Sequence, residues 1–254
     1  MKRKIYVALL VVLAAVFVFS AVNFFVLLSE YQKADALYET VQKEYVSTPT
    51  TDVENTDNSD ADKPKDNGLI SVDFASLQVA NPDVIGWIYA PEIGVNYPVV
   101  QADDNQTYLH KGLDGEYLRC GSIFADYRNE DPLTDRNFIL YGHSMKNGSM
   151  FGVLLNYKKQ AYYDKHPVWY YLTPEQNYRI ELFAGRVVGT GHIVYYPRPH
   201  QEAFQTYLQD SIAQSTFQSD VTITDADSIM TLSTCSYEFE QARYVVMGKL
   251  IPIE

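Results

Sequence analysis

The sequence has 254 residues, 46% hydrophobic and 20% charged, with two cysteines and a formal net charge of −12. That length suits one sizeable domain with an appendage, and the composition is that of a folded chain rather than a disordered one. The acidic balance, 32 Asp and Glu against 20 Lys and Arg, argues against sequence-independent nucleic-acid binding, and two cysteines cannot build a disulfide-dense scaffold or a four-cysteine zinc site.

Lys2, Arg3 and Lys4 precede an apolar run from Ile5 to Leu28, broken only by Ser20 and Asn23. As a helix, 24 residues at ~1.5 Å each span about 36 Å, enough to cross a hydrocarbon core. A signal-peptide apolar region is shorter, and no small-residue cleavage pair is well placed. Residues 5–28 therefore read as a retained transmembrane anchor. Residues 1–4 form its basic flank, kept in the cytoplasm, and the remainder lies outside the membrane. Leu27, Tyr31, Ala34, Leu37, Val41 and Tyr45 follow at spacings of three and four, so residues 29–46 read as a stalk helix. Residues 47–68, rich in Thr, Asp, Asn, Ser and Pro, read as a flexible acidic linker. The folded domain is expected at 69–254. It carries 22 acidic and 13 basic residues, so it is acidic in its own right.

Within that domain, Val72–Val79 has weak helical spacing and stops at Asn81-Pro82. Eight strand patterns follow: Gly86–Tyr89, Val95–Val100, Gly121–Ala125, Asn137–Tyr141, Val168–Leu172, Tyr178–Val188, Ile229–Thr234 and Tyr244–Ile251. Their number, the turn residues between them and 21 tyrosines point to a mostly β domain, an antiparallel sandwich or barrel. Two helical patches interrupt the strands. One is Met150–Tyr157. The other is His200–Gln214, with Phe204, Tyr207, Leu208 and Ile212 on one face, either walling a cleft or capping a barrel.

Three residues carry candidate chemistry. The strand Ile229–Thr234 delivers Cys235 at its end, where it could be a nucleophile, a buried small hydrophobe, or half of a disulfide with Cys120. The strand Asn137–Tyr141 delivers His143 just past Gly142. An imidazole beside a thiol can supply or accept its proton. Arg243 opens the strand after Cys235. A hairpin would return its guanidinium to the sulfur, where it could donate to a developing oxyanion. His110, His166, His192 and His200 fall in turns or loops. No His, Cys and Asp cluster has metal-ligand spacing and no glycine-rich phosphate loop is present, so neither metal nor cofactor is expected.

These residues resemble the sortases. Thr231-Leu232-Ser233-Thr234-Cys235 matches their nucleophile signature, Tyr141-Gly142-His143 their histidine motif, and Ala242–Val246 their arginine strand. Asn96–Gln101, Gly121–Arg128, His143–Phe151 and Tyr237–Phe239 are similar to class B in particular. The resemblance covers about Val84 to Leu250. It implies a closed eight-stranded β-barrel with peripheral helices, one inserted between the sixth and seventh strands. It implies a membrane-anchored cysteine transpeptidase outside a Gram-positive-type cell. Such enzymes cut surface proteins after the threonine of a carboxy-terminal motif resembling Asn-Pro-x-Thr-Asn or Asn-Pro-x-Thr-Gly. They hold the threonine as a thioester and pass it to an amine of peptidoglycan precursor or of a pilin. By position, Cys235 would be the nucleophile, His143 the general acid and base, and Arg243 the oxyanion donor. Asn105, Leu109, Tyr141 and Ser233 would contact the sorting peptide. Ser144 departs from the family's frequent asparagine, and Cys120 is expected to be an incidental thiol. The competing expectations are a hydrolytic cysteine peptidase of another class and a non-catalytic surface adhesin. The order of His143 before Cys235 disfavours papain-like folds.

Overall fold

The computed structural model describes residues 2–48 and 69–253. The chain divides into two compact units after Thr40. Helix α1 (Lys2–Tyr45) is unbroken, and most of its apolar side chains from Ile5 to Leu28 are exposed. It is long and apolar enough to cross a membrane. Of the expected linker, 49–68 lie outside the described residues. Ser47 belongs to a short ribbon in which β1 (Val46–Ser47) pairs antiparallel with β2 (Ser71–Val72). Helix α2 (Phe74–Ala80) is capped by Asp73, whose carboxylate accepts from the Ser76 amide at 3.1 Å, and it stops at Asn81.

All eight expected strands are present: β3 (Val84–Ala90), β4 (Val95–Val100), β5 (Ile123–Ala125), β6 (Asn137–Tyr141), β7 (Val168–Leu172), β8 (Asn177–Gly189), β9 (Ile229–Cys235) and β10 (Ala242–Ile253). They close into a barrel in the order β10-β8-β7-β3-β4-β5-β6-β9. The interior of an eight-stranded barrel is just wide enough for side chains to fill, and here Trp169, Tyr171 and Tyr244 are fully buried. The wall is not wholly antiparallel, as the strand pattern had suggested. β4 pairs parallel with β5, and β6 pairs parallel with β9. Parallel neighbours need long crossovers, supplied by residues 101–122 and by the excursion through β7 and β8. The first crossover ends, and the second begins, at the rim beside Tyr141, where the site lies.

Between β8 and β9, the sixth and seventh barrel strands, lies α4 (Gln201–Ala213). Phe204, Tyr207, Leu208 and Ser211 face inward at helical spacing, and Phe204, Tyr207 and Leu208 join a core cluster with Ile139, Phe183, Val245 and Met247. Ile212, expected on that face, is 48% exposed; the stripe instead continues through Ser211. Arg186 of β8 ties the end of the helix down, donating to Asp210 at 2.6 Å and to Gln214 at 2.7 Å. The patch at Met150–Tyr157 forms a 3₁₀ segment, Gly152–Lys158, before the four-residue α3 (Gln160–Tyr163). Its start is fixed by a bridge between Ser144 and Met150 and by the Phe151 amide donating to the His143 carbonyl at 3.1 Å.

Candidate active site

Strand pairing brings the three chemistry-bearing residues to one rim. In the β9–β10 hairpin Arg243 lies directly opposite Cys235. Residues so paired have Cβ atoms about 5 Å apart on one face of the sheet. In the parallel β6–β9 pair Tyr141 lies opposite Ser233. The Gly142 amide donates to the Ser233 carbonyl at 3.1 Å, and the Thr234 hydroxyl donates back to the Gly142 carbonyl at 2.8 Å. That double tie holds the turn carrying His143 beside the end of β9. Cys235, His143 and Arg243 are each half-buried and line one cleft of about 390 Å³. Asn105, Leu109, Tyr141 and Ser233 line it as well, so all seven residues singled out in the sequence meet there. Cys120 and Cys235 are not joined in a disulfide. Cys120 is buried with its thiol 3.6 Å from the Gly121 carbonyl.

The imidazole is oriented from behind. His143 Nε2 lies 2.8 Å from the Leu109 carbonyl oxygen, which can only accept, so Nε2 carries a hydrogen and Nδ1 holds the lone pair of the neutral ring. Burial, then the charges of His110 and Arg243, push the His143 pKa below that of an ordinary histidine; the Leu109 carbonyl opposes the shift. His110, read from the sequence as a turn residue, stacks on His143 with ring centroids 5.3 Å apart.

The Leu109 carbonyl is itself held by a close approach. Gly121, at φ +56°, passes so near that a Cβ there would lie 2.4 Å from the carbonyl oxygens of both Tyr108 and Leu109. The adjacent Ser122 amide donates to the Tyr108 carbonyl at 3.1 Å.

The four residues expected to meet peptide are engaged within the protein too. Ser233 shares a hydrogen bond of 3.0 Å with Tyr195, whose hydroxyl burial pushes up to about 12. The Tyr195 ring stacks on Tyr141, centroids 6.0 Å apart. The Tyr141 hydroxyl donates to Asp126 at 2.8 Å, and Asn105 Nδ2 donates to the same carboxylate at 3.0 Å. Burial would raise the Asp126 carboxyl, but hydrogen bonds from Arg128, Tyr141 and Asn105 hold it below the usual carboxylate value. Hydrogen bonds to a charged group contribute about 1.5–3 kcal/mol each. On the far side of the nucleophile strand, the loop after Cys235 is latched. Lys158 donates to Ser236 and to Glu238, Ser236 also donates to Glu238, and that carboxyl falls to about 2.

Sequence reasoning assigned no role to Thr190, Arg128 and Tyr195, which line the cleft, or to Asp126 and Gly121 behind it. Gly121, Asp126 and Arg128 all lie in the class B-like string Gly121–Arg128, so a signal existed. Tyr195 carried none. Helix α4 contributes no residue to the cleft; Thr190 and Tyr195, on the segment before it, form that wall. Among the described residues no group of three His, Cys, Asp or Glu side chains is gathered as a metal ion would require.

A half-buried thiol, a tautomerically fixed imidazole and a guanidinium around one cleft can perform acyl transfer through a thioester. Comparison with known proteins agrees. Residues 88–251 match the sortase domain model. Sortase B of Listeria monocytogenes is 40% identical over 190 residues, 73% of this chain and 76% of that protein. The structure of a Staphylococcus aureus sortase B–substrate complex superposes with a TM-score of 0.68 at 36% identity, covering 71% of this chain and 85% of that one. Bacillus anthracis sortase B reaches a TM-score of 0.74 at 31% identity, covering 89% and 100%. This chain thus belongs to the sortase family and is a cell-wall-sorting cysteine transpeptidase of the sortase B type.

Proposed function

We propose that the protein cleaves surface proteins after the threonine of an Asn-Pro-x-Thr-Asn-like or Asn-Pro-x-Thr-Gly-like carboxy-terminal motif, using Cys235, His143 and Arg243. Cys235 Sγ attacks the threonine carbonyl carbon as its proton passes to His143. Arg243 donates to the oxyanion. The threonine–X amide bond breaks, His143 returns the proton to the leaving amine, and a thioester remains on Cys235. An amine of peptidoglycan precursor or of a pilin then attacks the thioester, an amide forms, and the thiol is regenerated. Asn105, Leu109, Tyr141 and Ser233 bind the sorting peptide. Residues 5–28 anchor the chain in the membrane with residues 1–4 in the cytoplasm, and the linker at 47–68 tethers the catalytic domain outside.

The reading rests on one observation: Arg243 is paired with Cys235 across the β9–β10 hairpin, at the rim where the β6 turn carries His143. The test profiles full-length protein in detergent against a library of five-residue sorting peptides with glycyl and lysyl amines as acceptors. Cleavage after threonine with transfer to an amine is expected. Hydrolysis that no amine diverts would contradict transpeptidation, and cleavage elsewhere would contradict the motif.

A further inference from the structure

We propose that Asp126 is a positioning residue for peptide recognition: a single carboxylate behind the cleft that fixes Asn105, Arg128 and Tyr141 in the geometry the sorting peptide meets. Asp126 is fully buried and does not line the cleft, yet all three of its partners do. They come from three separate stretches of chain. Asn105 lies in the crossover between β4 and β5, Arg128 in the turn after β5, and Tyr141 at the end of β6. Oδ1 accepts from Arg128 Nε at 2.7 Å and from the Arg128 amide at 3.0 Å. Oδ2 accepts from Arg128 Nη2 and the Tyr141 hydroxyl, each at 2.8 Å, and from Asn105 Nδ2 at 3.0 Å. Five donors saturate the roughly four lone-pair sites of a carboxylate. Asp126 therefore has no capacity left to act as a base or to touch substrate, and its effect must pass through the groups it holds.

What it holds is a hydrogen-bond polarity. Because the Tyr141 O–H is committed to Asp126, its oxygen offers the cleft lone pairs only, so it accepts from a peptide N–H. The Asn105 carbonyl oxygen is committed to the Tyr127 amide at 3.0 Å and one Nδ2 hydrogen to Asp126, so that side chain offers a donor, matched to a peptide carbonyl. Arg128 Nη2 also donates to the Tyr195 carbonyl at 2.7 Å, which extends the same hub to the opposite wall. One accepting and one donating group, fixed side by side, suit an extended peptide backbone and confer no preference on side chains.

This inference rests on the proposed sorting-peptide reading, and its test separates the two. Full-length protein in detergent is assayed with a cleavable sorting peptide, normalised by titration of reactive Cys235. Asp126→Asn introduces an amide donor facing donors. The expected result is a KM raised by an order of magnitude with kcat lowered by no more than about threefold, the pattern of lost binding rather than lost transition-state stabilisation. Adding Tyr141→Phe to Asp126→Asn also removes the oxygen that accepts from peptide, so KM should rise further, but by less than the product of the two single effects, because both break the Tyr141–Asp126 bond. A merely structural role would lower the active fraction and leave KM unchanged, and that outcome overturns the proposal. Should Asp126→Asn fail to fold, Asn105→Ala and Tyr141→Phe probe the same hub. KM effects that multiply independently would overturn it, since two donors on one carboxylate must be coupled. If the unaltered protein cleaves no sorting peptide at all, the functional reading fails and this one falls with it.

Discussion

The rim residues Cys235 and Arg243 and the cleft residues Asn105 and Arg128 are held by different means. Cys235 and Arg243 stand on paired strands of the barrel, where backbone ladders fix them. Asn105 and Arg128 stand on segments between strands and are fixed by side-chain hydrogen bonds to a buried carboxylate. His143 sits between these regimes: it follows β6, but its ring is oriented by a loop carbonyl. Sites built on regular elements are more precise than those on loops, so the barrel rim suits the chemistry and the tethered segments suit recognition. The two regions should therefore respond differently to mutation, with rim changes cutting turnover and hub changes cutting affinity.

The largest effect should come from the rim. Cys235→Ala and His143→Ala are expected to lower peptide cleavage by on the order of 10⁴-fold or more with the circular dichroism spectrum unchanged. Wild-type-like rates in either variant would break the division. Arg243→Ala should follow with a loss of roughly 10²–10³ in kcat, the scale of removing one oxyanion donor. A pure KM effect would move Arg243 into the recognition group.

Gly121→Ala tests the boundary between the regimes. A Cβ cannot fit 2.4 Å from the Tyr108 and Leu109 carbonyl oxygens, and the latter orients His143. Displacing a catalytic group by about 1 Å can cost about 10²-fold, so kcat should fall by about that much although no reacting group is altered. An unchanged kcat would show that the Leu109 carbonyl does not set the imidazole.

The smallest effect is a titration. His143 should protonate at a pH below the ~6.5 of an ordinary histidine, because burial, then His110 and Arg243, disfavour its cation. As pH falls, the ring stays neutral further into the acid range than a free imidazole would. His110→Ala, which removes one of these charges, should raise the midpoint in an NMR titration. A wild-type midpoint at or above the ordinary value would contradict the account.

Much of this was readable from the residues. Eight short apolar runs with turn signals gave eight strands because each run packs into a closed wall and cannot be satisfied otherwise. The nucleophile strand, the histidine turn and the arginine strand were recognisable because local motifs fix strand ends. The parallel pairings of β4 with β5 and of β6 with β9 were not, since nothing in a strand's own sequence names a partner many residues away. Ile212 was misplaced because the inward stripe of α4 runs through Ser211, a polar residue that a search for apolar spacing passes over. Asp126 lies within the class B-like string but nothing there marks its role, because its importance comes from three residues that converge on it only in space.

The most direct test of the central claim is the intact mass of the protein quenched during turnover of a sorting peptide. The account predicts an adduct equal to the peptide up to its threonine, mapped to Cys235, discharged by an added amine and absent from Cys235→Ala. Peptide turnover with no such adduct, or an adduct that maps to another residue, would contradict it.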